Sequence, residues 1–589
     1  MSTTVGRVRR SKPKRPHDDG LNAVVASAGP TQRTNIYQAW AKKKGAWPAA
    51  LSGADRELPP WLWGCGLTQP EIEWIESVAC DAFCSDSLDE RMSLAPTPAS
   101  RQLMPLVAAY HLHRDARRID ADTWWKTVIS IVESSTLQPP LDPVQDIIAQ
   151  SEIPWILSLL CQPAPRLAKR LSKSAARHLS QVADTELDGN GLPPATLWNR
   201  LYQWLGSWTR CQILADAAGR RCHDVEAQVQ YEWMVREALR MTRGDRSPKW
   251  SDAGVENRPV WTPDFLANVL SWGGDRADET IAVKKLRLAP RSTARHNVDS
   301  IRSKKLPSPS VFSEWAQGAI LRNSWKRNHF GLTLAYDGSD MSLEVEVRRE
   351  LLFAGAIRTR VSIAGEQLPL EDEWHNTCAF SEEGVEYLEF ETECSDGWRV
   401  QRQILFAGDP HVLIWADAVI GDTPESLELH VTMPLASGTT FKPLEETRDG
   451  WLESAGGRIA WLAPLAAAEW RTEASPMDVA ATSEGLQLTA ATKGRAAYLP
   501  WFLDLHPRRL KAPARTWRRL TVGQDRNIVP LDQAAGYRVQ VARKQWLVYR
   551  SLTGAAQRTV LGQHLSTEFF AGRFHRDGEV TTYVEVEAP

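Results

Sequence analysis

From Val385 to Val419 the chain alternates apolar and polar positions with a period of two, interrupted by two turns. VEYLEF nearly alternates, Ser395-Asp396-Gly397 supplies a tight turn, and Trp398 to Phe406 resumes the alternation with Arg and Gln outward. Asp409-Pro410 makes the second turn, because proline fixes its own φ and biases the residue before it out of the helical region. His411 to Trp415 then leads off again, so the stretch predicts three consecutive antiparallel strands. The same period governs the chain after Pro309, in MSLEVEV, AIRTRVSIAG, SLELHVTM, YRVQVARKQWLVYRSL and VTTYVEVE, with turns at Ala364-Gly365 and Gly456-Gly457. Many strands with no intervening helices of comparable length predict a large antiparallel β-sandwich.

Before Leu306 the period is helical. Asn35 to Lys44 opens the folded part with a short amphipathic helix, and Thr68-Gln69-Pro70-Glu71 fits a helix start with Thr as cap and proline in the first turn. Helical spacing recurs over Arg101–His113, Thr123–Ser134, Val144–Leu160, Arg166–Glu186, Leu197–Ala218, Val225–Thr242 and Pro263–Leu270. Punctuators such as Gln138-Pro139-Pro140 and Asp188-Gly189-Asn190-Gly191 separate them. With no strict repeat, the pattern predicts an incomplete α/α toroid of helix pairs. The expected fold class is thus α+β multidomain. A disordered basic arm over 1–33 and a helical domain over 34–283 are followed by a basic linker over 284–309 and the sandwich over 310–589.

Composition narrows the function classes. A chain of 589 residues is too long for one core. A net charge of −2 gives no global attraction for nucleic acid, and no apolar run reaches the roughly 18 residues of a membrane helix. The first residues are basic with no apolar segment behind them, which leads us to expect a cytoplasmic protein. Eight cysteines without C-x-x-C spacing read as free thiols rather than a zinc site. No phosphate loop or serine elbow is present, so no cofactor is expected. The 26 tryptophans suit either cores or a cleft in which indoles stack on sugar rings. Lys and Arg dominate 284–309, either a solvated linker or a docking strip for an acidic polymer.

With both blocks in view, WAQGAILRNSWKRNHFGLTLAYDG and GWRVQRQILFAGDPHVLIWADAV resemble the sandwich of the heparinase II/III family of polysaccharide lyases. LDGNGLPPATLWNRLYQWLGSWTRC and MTRGDRSPKW are similar to the loops and helices of its toroid. The resemblance implies β-elimination on an acidic, uronate-containing polysaccharide, with site residues on toroid helices facing the sandwich. One departure stands out: where active members carry a histidine-rich loop, Asp337 to Ser342 here contains no histidine.

Such a reaction needs a group that offsets the uronate carboxylate, a base for the neighbouring proton and an acid for the leaving oxygen. Tyr202, Asn199 and Arg200 in LWNRLYQW are the catalytic candidates, with 199 and 202 on one helix face. Trp198, Tyr231 and Arg236 are the candidate substrate contacts. The same spacing also suits a helix interface in which Tyr202 packs with Trp198, Leu201 and Leu205, and a surface pair between Glu232 and Arg236. His111 and His113 diverge by about 200° on a helix, so they do not share a metal. The acidic run Glu371 to Glu373 beside His375 fits a solvated loop as well as an acid/base site. Two functions stay open: a lyase, and a catalytically inactive carbohydrate-binding or scaffold protein of the same architecture.

Overall fold

A computed structural model describes residues 21–42, 47–52, 58–81, 88–115, 119–136, 142–250, 260–288, 306–371, 373–512 and 514–587. Residues 1–20 of the expected arm over 1–33 and most of the expected linker, 289–305, lie outside them, and the rest of the arm is not disordered: it holds the helix Leu21–Ala26, with Val24 and Val25 buried, and the start of the helix Pro30–Ala41. Helices precede strands along the chain, in the order expected of a toroid followed by an antiparallel sandwich. Two compact units result: Met1–Thr185 with Gly206–Gln228, and Glu186–Leu205 with Val229–Pro589.

The first unit is helical. Helices such as Pro98–Asp115, Ala121–Thr136, Ile153–Leu160 and Pro165–Glu186 bury an apolar stripe each, with Trp124 and Trp155 fully enclosed. The expected helix over 144–160 is interrupted by a π-helical turn, Ile148–Glu152, which turns Glu152 into the core. There Glu152 accepts from Arg210 Nη2 at 3.0 Å, Ser207 Oγ at 2.6 Å and Tyr110 OH at 2.7 Å. Gly206 is required nearby: a Cβ on it would lie 2.3 Å from the Trp63 carbonyl oxygen, itself an acceptor from Arg210.

The second unit carries the sheets. Among the described residues, a five-stranded meander runs from Val311–Ser313 to Glu350–Ala356, beside an eleven-stranded sheet, a five-stranded sheet and a small four-stranded one. The expected triple strand is present as Val385–Glu393, Arg399–Ala407 and Val412–Met433, paired antiparallel throughout. Asp396 at φ 63° makes the first turn and His411 at φ 54° the second.

Sheet stacking explains why alternation fades in the middle of this unit. Leu332, Leu343 and Val345 of the first sheet meet Ile404, Trp415, Leu429 and Trp501 of the large sheet in one core. On its other face Leu405, Ile414, Trp461 and Phe502 meet Tyr537, Val539 and Trp546 of the next sheet. A sheet covered on both sides has no solvent face, so Val412 to Ile420 is buried without interruption. The polar residues that survive there are paired, as Arg402 Nε is with Asp417 Oδ1 at 2.7 Å.

The expected linker is corrected as well. A helix, Arg276–Leu286, occupies the start of the expected linker, entered through a reciprocal cap between Asp275 and Asp278. Lys284 and Lys285 belong to its last turn, and Lys285 is fully buried with Nζ donating to the carbonyls of Leu239 and Arg240. It is therefore not part of a solvated docking strip.

Candidate functional site

All six residues singled out from the sequence fall in the second unit, but the chain does not bring them to one surface. Ala195–Arg200 forms a 3-10 turn and the α-helix begins only at Leu201. On that turn Asn199 eclipses Thr196, whereas Tyr202 is the second residue of the α-helix. Asn199 is accordingly exposed and Arg200 half-buried, while Trp198 is enclosed, with Nε1 donating to the Pro193 carbonyl at 3.0 Å. Gly318 lies under that indole, where a Cβ would come within 2.2 Å of it. Tyr231 is fully buried with Gly273 against its ring. Arg236 reaches Asp278 at 2.9 Å and Asp275 at 2.8 Å, and its guanidinium covers the Trp233 ring.

Tyr202 sits 2% exposed. Its hydroxyl lies 3.1 Å from Thr242 Oγ1 and 3.2 Å from the Ala238 carbonyl. Thr242 donates to that same carbonyl at 2.8 Å and accepts from Trp261 Nε1 at 2.8 Å, so its hydrogen is spent and the Tyr202 hydroxyl acts as donor. Burial pushes the phenol well above its ordinary range, opposed by the Thr242 bond and the charges of Arg243 and Arg322.

Those charges belong to a cluster that the sequence reading did not single out. Arg243 Nε donates to Glu344 Oε2 at 3.1 Å, and the Gly244 amide donates to Glu346 Oε1 at 2.8 Å. His329 Nε2 lies 3.0 Å from Glu346 Oε2, close enough for a hydrogen bond but not aligned for one. Lys249 Nζ donates to Thr333 Oγ1, and Arg322 Nη1 donates to the carbonyls of Arg240 at 2.8 Å and Thr242 at 3.1 Å. The remaining Nε and Nη2 of Arg322 are buried and have no partner among the described residues.

Electrostatics follow from this crowding of cations. Burial, with Arg322 beside it, lowers His329 to about 4 and Lys249 to about 8. Burial brings Arg322 itself down to about 10. Burial would raise Glu346, but His329, Lys249 and Arg322 hold it far below the usual carboxylate range. At neutral pH the cluster therefore contains a neutral imidazole, an ionised carboxylate and a charged lysine close to its titration.

Why these residues escaped notice is physical. Glu344 and Glu346 alternate with Leu343, Val345 and Val347, so a period of two assigns them to solvent. Both faces of that strand are covered instead, and the acids are buried against Arg243 and His329. The usable signal was the density of basic residues in MTRGDRSPKW and LRNSWKRNH.

Other histidines are committed elsewhere. His111 faces Glu76 at 3.6 Å while His113 stacks on Trp47, and His223 is buried 2.6 Å from Gln212. Among the described residues no group of three or more His, Cys, Asp or Glu could hold a metal ion. Asp372, in the acidic run before His375, lies outside the described residues.

No family model and no curated protein matches the chain. Solved structures do. A mutant of heparan sulfate lyase HepC from Pedobacter heparinus aligns over 91% of this chain and 98% of its own, at 10% identity and a TM-score of 0.53. A structure of heparinase III aligns over 92% and 94%, at 10% identity and a TM-score of 0.51. The chain thus has a divergent heparinase-like lyase fold.

Proposed function

We propose that this protein is a glycan-binding protein on a polysaccharide-lyase frame, directed to an acidic, uronate-containing polysaccharide, and that it does not pass protons through Tyr202. The class of partner is suggested by the fold shared with a heparan sulfate lyase. One observation carries the rest. Tyr202 and His329, the phenol and imidazole nearest the roles of acid and base, are 2% and 1% exposed and face protein partners. A general base has to come within hydrogen-bond reach of the proton it removes, and neither group offers a polymer that approach. Tyr202 then ties the residues around it, Glu186–Leu205, to Thr242 and Ala238 of the same unit.

A second reading, β-elimination, has its own support in the gathering of Tyr202, Arg243, Arg322 and His329 around one carboxylate pair. Isothermal titration with heparan sulfate and other uronate polymers, run beside a search for the unsaturated uronate chromophore, separates the two. We expect binding without chromophore. A chromophore that falls by about two to four orders of magnitude in Tyr202→Phe would instead make Tyr202 a proton carrier.

A further inference from the structure

We infer that five arginines of the second unit, Arg246, Arg287, Arg327, Arg348 and Arg349, form a site for a tetrahedral oxyanion ester, a sulfate or phosphate group carried on a sugar. The inference goes beyond the glycan-binding reading and rests on it for the sugar alone.

Four segments supply these residues, and three of them meet at Gly244. Arg327 Nε donates to the Gly244 carbonyl at 2.7 Å, and a Cβ on Gly244 would lie 2.7 Å from Arg349 Cγ and 2.5 Å from the Arg327 carbonyl oxygen. The Arg348 amide donates at 2.8 Å to the carbonyl of His329, two residues beyond Arg327, and Arg246 follows two residues after Gly244. Burial and then the charges of Arg349, Arg246 and Arg287 lower Arg327 from its ordinary value, so all three guanidinia lie within electrostatic reach of it. Asp245 opposes them by less.

The backbone is unfavourable where it presents these side chains. Val347 pairs with Glu350, so Arg348-Arg349 is a two-residue hairpin loop, at φ 56° and 88°. Loops of that kind favour Asn-Gly, because both central residues need positive φ. Arg287, at φ 54°, ends the helix Arg276–Leu286 where Gly is the usual residue, and Arg246 stands at φ 83°. Four of the five arginines thus hold a conformation that residues with a Cβ avoid, which costs stability and points to a task for the guanidinium.

Charge and hydrogen bonding indicate the ligand. Among the described residues none of the five takes part in an ion pair, and the Nε atoms of Arg246 and Arg348 are buried with no partner. Glu344 and Glu346 close by are engaged by Arg243 and His329. The exposed acids that remain at the patch, Asp245 and Glu350, are outnumbered. A carboxylate offers oxygens in one plane and is satisfied by a single guanidinium fork, whereas an ester sulfate or phosphate offers three acceptor oxygens to forks arriving from several sides. The ester group, and not the uronate carboxylate, matches this site.

The test is calorimetry on the full chain with a sulfated uronate–glucosamine hexasaccharide, its desulfated counterpart, and inorganic sulfate and phosphate titrated alone and as competitors. One of the two oxyanions should displace the sulfated probe at concentrations where chloride of equal ionic strength does not, and the stronger competitor names the ester. The double change Arg348→Asn with Arg349→Gly should weaken the sulfated probe by about tenfold while raising the thermal transition, because the loop then has its preferred residues. Arg287→Gly should weaken it by about threefold with no loss of stability. The site is refuted if neither oxyanion displaces more than chloride does, or if the double variant binds the sulfated probe as the wild type does. A wild type that binds oxyanions through Arg348 and Arg349 but neither hexasaccharide keeps the site and removes the proposed partner. Equal binding of both hexasaccharides, unchanged in the double variant, does the reverse, and a chain that binds none of the probes overturns both.

Discussion

Two buried charge sites, one in each unit, handle the same problem differently. Around Glu152 a single carboxylate meets one guanidinium, and every neighbour is a donor aimed at it: Arg210, Ser207 and Tyr110. The remaining Arg210 nitrogen reaches the carbonyls of Pro60 and Trp63. Burial alone would weaken the Arg210 charge, but Glu152 outweighs it and the guanidinium is held above its usual range. Around Glu346 the acids are outnumbered by Arg243, Lys249, Arg322 and Lys285, two Arg322 nitrogens have no partner among the described residues, and burial prevails over pairing at Lys249, Lys285 and Arg322, though not at Arg243. A balanced site clips helices together. An overcharged one stores unfavourable free energy that pH can release.

The largest effect should come from breaking the balanced site. Glu152→Leu strands the Arg210 charge and should cost about 3–5 kcal/mol in chemical denaturation followed by tryptophan fluorescence. Adding Arg210→Met should restore much of it, which an additive pair of losses would contradict.

Acid should probe the other site. His329 titrates near 4 in the fold against 6.5 unfolded. As pH falls below 6.5 the unfolded chain takes up a proton that the folded chain refuses, so up to about 3 kcal/mol is lost by pH 4. Glu346, depressed in the fold, contributes stability that is present above its ordinary value of 4.5 and is lost as pH falls further. In His329→Gln the slope between pH 6.5 and 4 should flatten; a parallel profile would place the acid sensitivity elsewhere.

Lys249 gives a smaller effect of opposite sign. Its folded value near 8 against 10.5 means the charged form is disfavoured, at full cost below pH 8 and relieved as pH rises to 10.5. Lys249→Met should therefore stabilise the protein at pH 7 by about 1–2 kcal/mol, the lost bond to Thr333 included, and the gain should vanish near pH 10. Smallest of all, Tyr202→Phe removes one hydroxyl donor and should cost about 1 kcal/mol by the same denaturation assay. A cost several times larger would tie the phenol to the charge cluster more tightly than its two bonds suggest.

Much of the fold was legible because local period reports burial on one side. Val385 to Val419 is such a case, and so is the order of helices before strands. What period cannot report is a second covered face. Glu344 and Glu346 look like solvent positions until the segment Arg243–Trp250 and His329 meet them, and Lys285 looks like linker until its helix docks. The candidate residues suffered from a different blind spot, since spacing does not report burial: Asn199 on the 3-10 turn is exposed while Tyr202, three residues on, is buried. Arg236 was read with a partner four residues away, and spacing gave no hint of the two acids, Asp275 and Asp278, that reach it from about 40 residues along the chain.

The strand Val412–Met433 has a consequence for how the chain is made. Its first half pairs early with Arg399–Ala407, yet its other edge is completed by Gly485–Asp504, with Val412 opposite Asp504. At roughly 5–20 residues per second of synthesis, several seconds separate the two. Throughout that interval LIWADAV offers an apolar, unpaired edge to any neighbouring nascent chain. The yield of this protein is then governed by the pace of translation and the supply of chaperones between those two segments, before its final stability has any say.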